Sequence, residues 1–236
     1  MQNKKPKQRS LLSRLWRIFL KSLLYSFLFS LFYILFCKWI NPPITITQVS
    51  SVLWGHGLKR DYVDLDDMSA NVKLAVMSSE DQLFPDHNGF DLKSIKKAMK
   101  HNRKSKSLRG ASTISQQVAK NVFLWQHGGY FRKGLEVYFT FMIEHVWSKK
   151  RILEMYLNVA EMGEGVFGVE AAARKYFNKS AKNLTRTEAA MIAAGLPNPK
   201  GYTVKPLSRH VSSRYPWILR QMAHLEGDPD IQALIR

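Results

Sequence analysis

Hydrophobic and polar residues are distributed very unevenly near the start of the chain. The run from Ser22 to Cys37 contains no charged residue and consists almost entirely of large apolar side chains. It falls slightly short of the roughly 20 residues that span a bilayer core as a helix. However, the apolar stretch extends back to Leu15, and Arg17 and Lys21 can extend their charges to the interface. A buried helix of a soluble domain is a poor alternative because the run has no polar face. We therefore predict a transmembrane helix over residues 15–40.

Charged residues around this run predict its orientation. The first forty positions contain no acidic residue and these basic ones: Lys4, Lys5, Lys7, Arg9, Arg14, Arg17, Lys21 and Lys38. Most of them precede the apolar run, which predicts a cytoplasmic tail over residues 1–14 and the rest of the chain across the membrane. A cleaved signal peptide is the alternative, but no small-x-small cleavage site follows Phe36, so we favour an uncleaved anchor.

Beyond the anchor, the apolar spacing is helical almost throughout. Asn41-Pro42-Pro43 ends the anchor helix, and weak alternation from Ile44 to Leu53 predicts a short extended stretch. Helical spacing then predicts helices over Asp66–Ser79, Phe90–Lys100, Ser112–Val122, Tyr130–Trp147 and Lys149–Met162,. Thr185 and Glu188 fit a capping box that opens an alanine-rich helix, Ala189 to Ala194. The pattern predicts a mainly α domain over residues 66–236, joined to the anchor by a linker over residues 41–65.

The composition shows that the chain carries a strong positive net charge. The 236 residues include 36 Lys and Arg against 18 Asp and Glu, a net charge of +18, and 45% are hydrophobic, which excludes a disordered chain,. This charge favours polyanionic partners: nucleic acid, anionic lipid headgroups or phosphorylated ligands. One basic segment contains no acidic residue: Lys93, Lys96, Lys97, Lys100, Arg103, Lys104, Lys106 and Arg109. It is either a solvated loop or a contact for lipid headgroups or a pyrophosphate.

The first candidate for chemistry is the segment Glu80–Asp91. Its acidic residues lie close to His87, and Pro85 and Gly89 interrupt regular structure there. A carboxylate at a helix end, beside Phe84, can have the raised pKa that a general base needs. Ordinary solvated acids at a helix end are the alternative. One histidine with scattered aspartates is weak support for a metal site.

The second candidate is the segment Gly110–Asn121. On a helix, Thr113, Gln117 and Lys120 form a polar stripe. A hydroxyl, an amide and an ammonium in a row suit phosphate and sugar oxygens. The free backbone N–H groups at the helix start, near Ser112, predict an anion site. An ordinary exposed helix face is the alternative, although such a face usually carries more charge.

The third candidate is the cluster Arg132-Lys133-Gly134-Leu135-Glu136. Both cations lie three or four residues from Glu136, which is the spacing of a helical ion pair,. A surface ion pair of little energetic value is one interpretation. A group of cations at a leaving phosphate, with Glu136 orienting them or stabilising positive charge at a sugar carbon, is the other.

The fourth segment, Lys149–Asn158, has the pattern of a scaffold. Ile152 and Tyr156 lie on one face of the predicted helix, and Glu154 and Asn158 lie on the opposite, polar face,. Glu154 could orient a neighbouring loop.

Together and in this order, the four segments resemble the family 51 glycosyltransferases, the peptidoglycan glycosyltransferases. The shared blocks are Glu-Asp-x-x-Phe-x-x-His-x-Gly, Gly-Ala-Ser-Thr-Ile-x-Gln-Gln-x-x-Lys-Asn, Arg-Lys-x-x-Glu and Arg-Ile-Leu-Glu-x-Tyr-Leu-Asn. The resemblance covers about residues 68–199, and the chain length is similar to that of monofunctional members, which lack the penicillin-binding transpeptidase domain. The one departure is Ser115, where the family often has threonine; the hydroxyl is kept.

The resemblance implies a lysozyme-like α-helical domain with a small membrane-facing subdomain. It also implies that a lipid-linked glycan chain is transferred to the 4-hydroxyl of the acceptor sugar of lipid II, with inversion and release of undecaprenyl diphosphate. The expected partners are lipid II, the lipid-linked chain, the membrane and other proteins of cell-wall synthesis or division, and no nucleic acid. The expected location is the cell inner membrane, with the N-terminus cytoplasmic and the catalytic domain periplasmic.

The same resemblance assigns roles to residues. Glu80 would be the general base, and Glu136 the second catalytic carboxylate, near the donor diphosphate. The residues expected to contact or shape the substrate site are Asp81, Phe84, His87, Ser112, Thr113, Gln117, Lys120, Asn121, Arg132 and Lys133. The sequence requires no cofactor, and the resemblance allows a divalent metal, Mg or Mn, at the diphosphate.

Two other functions fit parts of the sequence. A lysozyme-like glycan hydrolase would also use a carboxylate on an α-helical fold, but it has no lipid diphosphate to hold with a row of cations. A non-enzymatic membrane-tethered scaffold would explain the charge and the anchor alone.

Overall fold

The first unit of the structure is one long helix. The structure, a computed structural model, describes residues 11–105, 110–126 and 128–236, and the chain divides into the units Met1–Ile40 and Asn41–Arg236. In the first unit, α1 (Leu11–Trp39) has 29 residues and is long and apolar enough to cross a membrane. It begins four residues before the predicted start. Most of the predicted basic tail lies outside the described residues: Lys4, Lys5, Lys7 and Arg9.

The second unit opens with a helix where the sequence predicts an extended stretch. α2 spans Ile46–Leu53. Thr45 accepts a hydrogen bond from the Gln48 backbone N–H, and the Gln48 side chain accepts one from the Thr45 N–H. This capping box outweighs the weak alternation of apolar residues, so the extended prediction is wrong.

The remaining helices carry the four segments in chain order. Their bounds are α3 (Ala70–Glu80), α4 (Leu92–Asn102), α5 (Ile114–Phe123), α6 (Tyr130–Val146), α7 (Lys149–Val159), α8 (Val169–Phe177), α9 (Arg186–Gly195), α10 (Arg209–Leu225) and α11 (Pro229–Ile235). Short 3-10 turns lie at Leu65–Asp67 and Ala181–Asn183. The predicted mainly α fold is confirmed, and so is the capping box of Thr185 and Glu188.

Two predicted helix ends are wrong for identifiable reasons. α3 begins after Ser69, whose side chain caps the Val72 N–H, so the preceding aspartates lie in a 3-10 turn. α7 ends at Val159 because the next residues form a strand. A small sheet joins β1 (Lys59–Arg60), β2 (Glu161–Gly163) and β3 (Val166–Phe167). Its central strand β3 runs parallel to β1 and antiparallel to β2.

α3 is the central helix of the second unit. Its residues from Val72 to Ser78 are all buried, and it packs against α9, α10 and α11. The alanine-rich α9 offers small side chains, so the two helices can approach closely. α5 packs against α6 and α7. The end of α3 is therefore fixed by surrounding helices, and α5 brings the second segment against the third and fourth.

Candidate active site

Glu80 is the last residue of α3 and is held by neutral donors. The Gln117 amide Nε2 donates to Glu80 Oε2 at 2.8 Å. The Ser79 hydroxyl lies 3.4 Å from Glu80 Oε1, at the limit of hydrogen bonding, and also 3.4 Å from the Ala193 carbonyl oxygen of α9. The carboxylate thus has partners that orient it without neutralising its charge.

Burial raises the pKa of Glu80 above its ordinary value. Hydrogen bonds from Gln117 and Ser79 and the positive charge of Arg214 oppose this shift, and the nearby charge of Asp81 adds to it. A carboxylate with a raised pKa accepts a proton more readily than a solvated one. The alternative of ordinary solvated acids therefore does not describe Glu80.

Asp81, the next residue, faces away from solvent into a hydrogen-bond network. Its Oδ2 accepts the Ile114 backbone N–H at 2.9 Å, and His87 Nε2 lies 3.0 Å from its Oδ1. His87 Nδ1 accepts the Gly89 N–H at 3.1 Å, so the ring proton lies on Nε2 and is donated to Asp81. This network fixes the loop after Glu80 to the start of α5.

Two backbone N–H groups at the start of α5 have partners within the protein. The first helical N–H, that of Ile114, binds Asp81, and the Gln116 N–H binds the Thr113 hydroxyl. These amides are already occupied by groups of the protein itself, because α5 starts two residues later than predicted. Ser112 is exposed beside this end of the helix.

Only part of the predicted polar stripe on α5 faces the carboxylates. Thr113 is the buried N-cap, and its hydroxyl donates to the Gly89 carbonyl at 2.7 Å. Asn121 is also buried, and its Oδ1 accepts from Gln126 Nε2 at 3.1 Å. Gln117 and Lys120 remain half-buried. The exposed-face alternative is wrong for Thr113, which holds the Glu80 loop in place.

Glu136 is buried between two cations. It is 3% exposed; Arg132 Nη1 donates to its Oε2 at 2.7 Å, and Lys133 Nζ pairs with its Oε1. The surface-ion-pair interpretation is therefore wrong. Arg132 Nε is buried and has no hydrogen-bond partner among the residues that the structure describes.

Lys120 connects the two carboxylates electrostatically. Burial lowers the pKa of Lys120, the negative charge of Glu136 opposes this shift, and Arg132 and Lys133 add to it. Glu80 also favours the charged form of Lys120. The charge of Lys120 thus acts on both glutamates. The Gln117–Glu80 hydrogen bond and the packing of α5 on α6 bring the second and third segments to the end of α3.

The fourth segment contacts the first through Lys149 and the backbone of Val63 through Asn158. Lys149 Nζ donates to the His87 carbonyl and to Glu144 Oε1, the latter at 2.8 Å, and lies 4.6 Å from the ring centre of the fully buried Phe84. Asn158 is buried, not part of a polar face as the pattern suggested. Its amide both accepts from and donates to the backbone of Val63. The scaffold interpretation of this segment is confirmed by these contacts.

Sequence reasoning missed Arg214, Glu144 and Lys149. Arg214 lies on α10, contributes positive charge at Glu80 and stacks on Trp217 at 3.6 Å. The only feature of the sequence that could have pointed to Arg214 was its Arg-x-x-Trp spacing on a helix. The Glu144–Lys149 pair joins separate helices, so no single segment predicts it.

The described part of the chain contains no group of three or more His, Cys, Asp or Glu side chains placed to hold a metal ion. Both oxygens of Glu136 are already paired with cations. The protein side chains at this end of the site therefore do not form a metal cage by themselves.

Comparison with known proteins identifies relatives over most of the chain. A family model described as Transglycosylase matches residues 47–223. A biosynthetic peptidoglycan transglycosylase of Escherichia coli strain K12 / DH10B is 56% identical over 191 residues, which cover 78% of each chain. The protein of that name from Shigella boydii serotype 4 has the same identity and coverage. The one from Aeromonas hydrophila subsp. hydrophila is 46% identical over 221 residues, which cover 92% of each chain.

Proposed function

The chain belongs to the transglycosylase family, and we propose that it polymerises lipid II into glycan strands with Glu80 as the general base. It is a peptidoglycan glycosyltransferase, and its domain has the lysozyme-like α fold of the family. The observation that carries the base assignment is the position of Glu80: half-buried at the end of α3, with a raised pKa and, among the described residues, hydrogen bonds from neutral donors only.

Glu80 takes the proton of the acceptor sugar in this mechanism. The 4-hydroxyl oxygen of the acceptor attacks the anomeric carbon of the donor, the bond from that carbon to the diphosphate breaks, and the hydroxyl proton passes to the Glu80 carboxylate. Attack from the face opposite the leaving group inverts an α-linked donor to a β-linked product. No covalent bond between sugar and protein is needed.

The cations near Glu136 stabilise the leaving diphosphate. Undecaprenyl diphosphate leaves with its own negative charge, so positive charge assists it more than a proton donor does. Lys120, Arg132 and Lys133 supply that charge. Glu136 holds the two cations of α6 at fixed positions, so they need not reorganise during the reaction.

The other predicted substrate residues fall into two groups. Ser112 and Gln117 are accessible enough for substrate contact. Asp81, Phe84 and Thr113 are buried and act with His87 by holding the loop after Glu80 and the helix α5 in place. Asn121 is also buried, and it binds Gln126 beyond the end of α5. No step of this mechanism passes through a metal, and any divalent ion at the site would be carried by the diphosphate itself.

The anchor and the basic segment support action at a membrane surface. We place α1 across the inner membrane, with the N-terminus cytoplasmic and residues 41–236 periplasmic. α4 exposes Leu92 and Met99 beside exposed basic residues: Lys93, Lys96, Lys97, Lys100, Arg103 and Lys104. An exposed helix with both kinds of side chain favours lipid headgroups over a pyrophosphate as its contact. Lys106 and Arg109 of this segment lie outside the described residues.

A substrate comparison tests the proposed function. The purified full chain is offered lipid II in one reaction and finished glycan strands in another, each with and without a chelator. We expect polymer from lipid II and no cleavage of glycan. Cleavage of glycan without polymerisation would identify a hydrolase, and loss of polymerisation with the chelator would show that a divalent metal takes part.

A further inference from the structure

Tyr156 is a buried tyrosine whose hydroxyl contacts the active-site amide. It lies on α7 and is 1% exposed. Its hydroxyl donates to Gln117 Oε1 at 3.3 Å, and the described residues offer that hydroxyl no second hydrogen-bond acceptor. Burial and the charges of Glu80 and Asp81 raise the pKa of Tyr156 well above its ordinary value. The hydroxyl therefore remains a proton donor at the working pH of the enzyme.

The Gln117 amide has two different ends, and each faces one partner. Its oxygen accepts from Tyr156, and its Nε2 donates to Glu80 Oε2 at 2.8 Å. A half-turn of the amide would direct an oxygen lone pair at the Glu80 carboxylate. It would also leave the Tyr156 hydroxyl proton without an acceptor in a buried position, which is unfavourable.

We propose that Tyr156 is a positioning residue for glycosyl transfer, because its hydroxyl fixes the Gln117 amide with the N–H towards Glu80. This inference rests on the proposed base role of Glu80. Tyr156 does not touch the reacting sugar in this account; it acts through Gln117. Its role is to keep Glu80 charged, and so able to accept a proton, despite burial.

The other groups around Glu80 do not replace this donor. Asp81 adds negative charge from the same loop, Arg214 adds positive charge from α10, and Lys120 does so from α5. α9 contributes the Ala193 carbonyl, which lies near the Ser79 hydroxyl. The Gln117 N–H is thus the closest donor to the carboxylate among the described groups.

Removal of the Tyr156 hydroxyl has a defined pH signature. In Tyr156→Phe the amide can rotate, Glu80 loses its donor for part of the time, and the pKa of Glu80 rises further. A general base must be deprotonated, so activity is lost as pH falls through that pKa. The acidic limb of the kcat/KM profile for lipid II polymerisation should move to higher pH. The loss should be roughly tenfold on the acidic limb and small on the alkaline plateau.

Tyr176→Phe is the matched control. The Tyr176 hydroxyl is also buried and donates to the Met162 carbonyl at 3.1 Å, away from Glu80. Its removal should leave the acidic limb in place, so a general loss of packing is separated from a change at Glu80. A change in KM alone in Tyr156→Phe, with an unmoved limb and an unchanged Glu80 pKa, would contradict the proposal.

Gln117→Met is the second variant, and it keeps the test decisive if Tyr156→Phe does not fold. It removes the amide, so it should also move the acidic limb to higher pH, and adding Tyr156→Phe should move it no further. An unmoved limb together with an unchanged Glu80 pKa in Gln117→Met, or an additional shift in the double variant, would overturn the proposal. Titration of the Glu80 carboxyl by 13C NMR in the same proteins separates the two inferences. A Glu80 pKa that rises in Tyr156→Phe while the limb is unmoved would keep the positioning role and remove the base role.

Discussion

The two glutamates of the site are both shielded from solvent, yet their surroundings differ. Glu80 has an amide donor, a distant hydroxyl and no direct ion pair in the described part of the chain. Glu136 has an arginine on one oxygen and a lysine on the other. A base must be able to accept a proton, whereas a carboxylate that organises cations must keep its charge. The contrast shows that different neighbouring groups give two glutamates of one site different roles.

Glu80→Gln should give the largest effect. The amide cannot accept the acceptor's proton, so turnover of lipid II should fall about 1,000-fold, while lipid II binding and the unfolding midpoint remain close to those of the unmodified protein. Glu164→Gln, at an exposed pair with His56, is the control and should be fully active. Near-normal turnover of Glu80→Gln would remove Glu80 from the base role.

Glu136→Gln should give the next largest effect. Arg132 and Lys133 lose their shared anion and repel each other, so turnover should fall about 100-fold and the protein should be destabilised by about 3 kcal/mol. Steady-state polymerisation and thermal unfolding measure the two losses. Glu226→Gln, at the exposed pair with Arg186, should change neither quantity. An unchanged unfolding midpoint in Glu136→Gln would contradict the organising role.

Lys120→Ala should act mainly on donor binding. Removal of one of three cations at the diphosphate should raise the apparent KM for the lipid-linked donor about tenfold. The control is Lys182→Ala, which removes a lysine from an exposed pair with Asp67. If the apparent affinity for the donor is unchanged, Lys120 does not bind the diphosphate.

Ser115→Ala should give the smallest effect. The Ser115 hydroxyl donates to Glu144, which also pairs with Lys149, so its loss should lower the free energy of unfolding by about 1 kcal/mol. Activity should change little because the network lies behind the site. Ser213→Ala, at an exposed hydroxyl on α10, is the control. A large loss of activity without a loss of stability would place Ser115 in the site itself.

The proposed catalytic and binding residues could be predicted because they lie in short, recognisable sequence segments. Glu80, Gln117, Lys120 and the cluster of Glu136 are each visible as a block of sequence. The mainly α fold followed from helical spacing. α2 was mispredicted because one capping box decided its conformation, and the strands are too short to alternate.

The contacts that tune the site could not be predicted. The charge of Arg214 acts on Glu80 from a helix more than a hundred residues away along the chain, and the Tyr156 hydroxyl is linked to Glu80 by hydrogen bonds only through Gln117. Asp81 and Thr113 were predicted to contact or shape the substrate site, but their bonds to the start of α5 were not predicted. Such roles depend on how helices pack, and one sequence does not display that packing.

The most direct test of Glu80 as base is a comparison of its own titration with the pH dependence of the reaction. The Glu80 carboxyl is followed by 13C NMR, with Glu80→Gln assigning its signal, and kcat/KM for lipid II polymerisation is measured over the same pH range. Burial should give Glu80 a pKa above its ordinary value, and the acidic limb of kcat/KM should fall at that pKa. A carboxyl that titrates at or below its ordinary value, or at a pH away from the limb, would contradict the account.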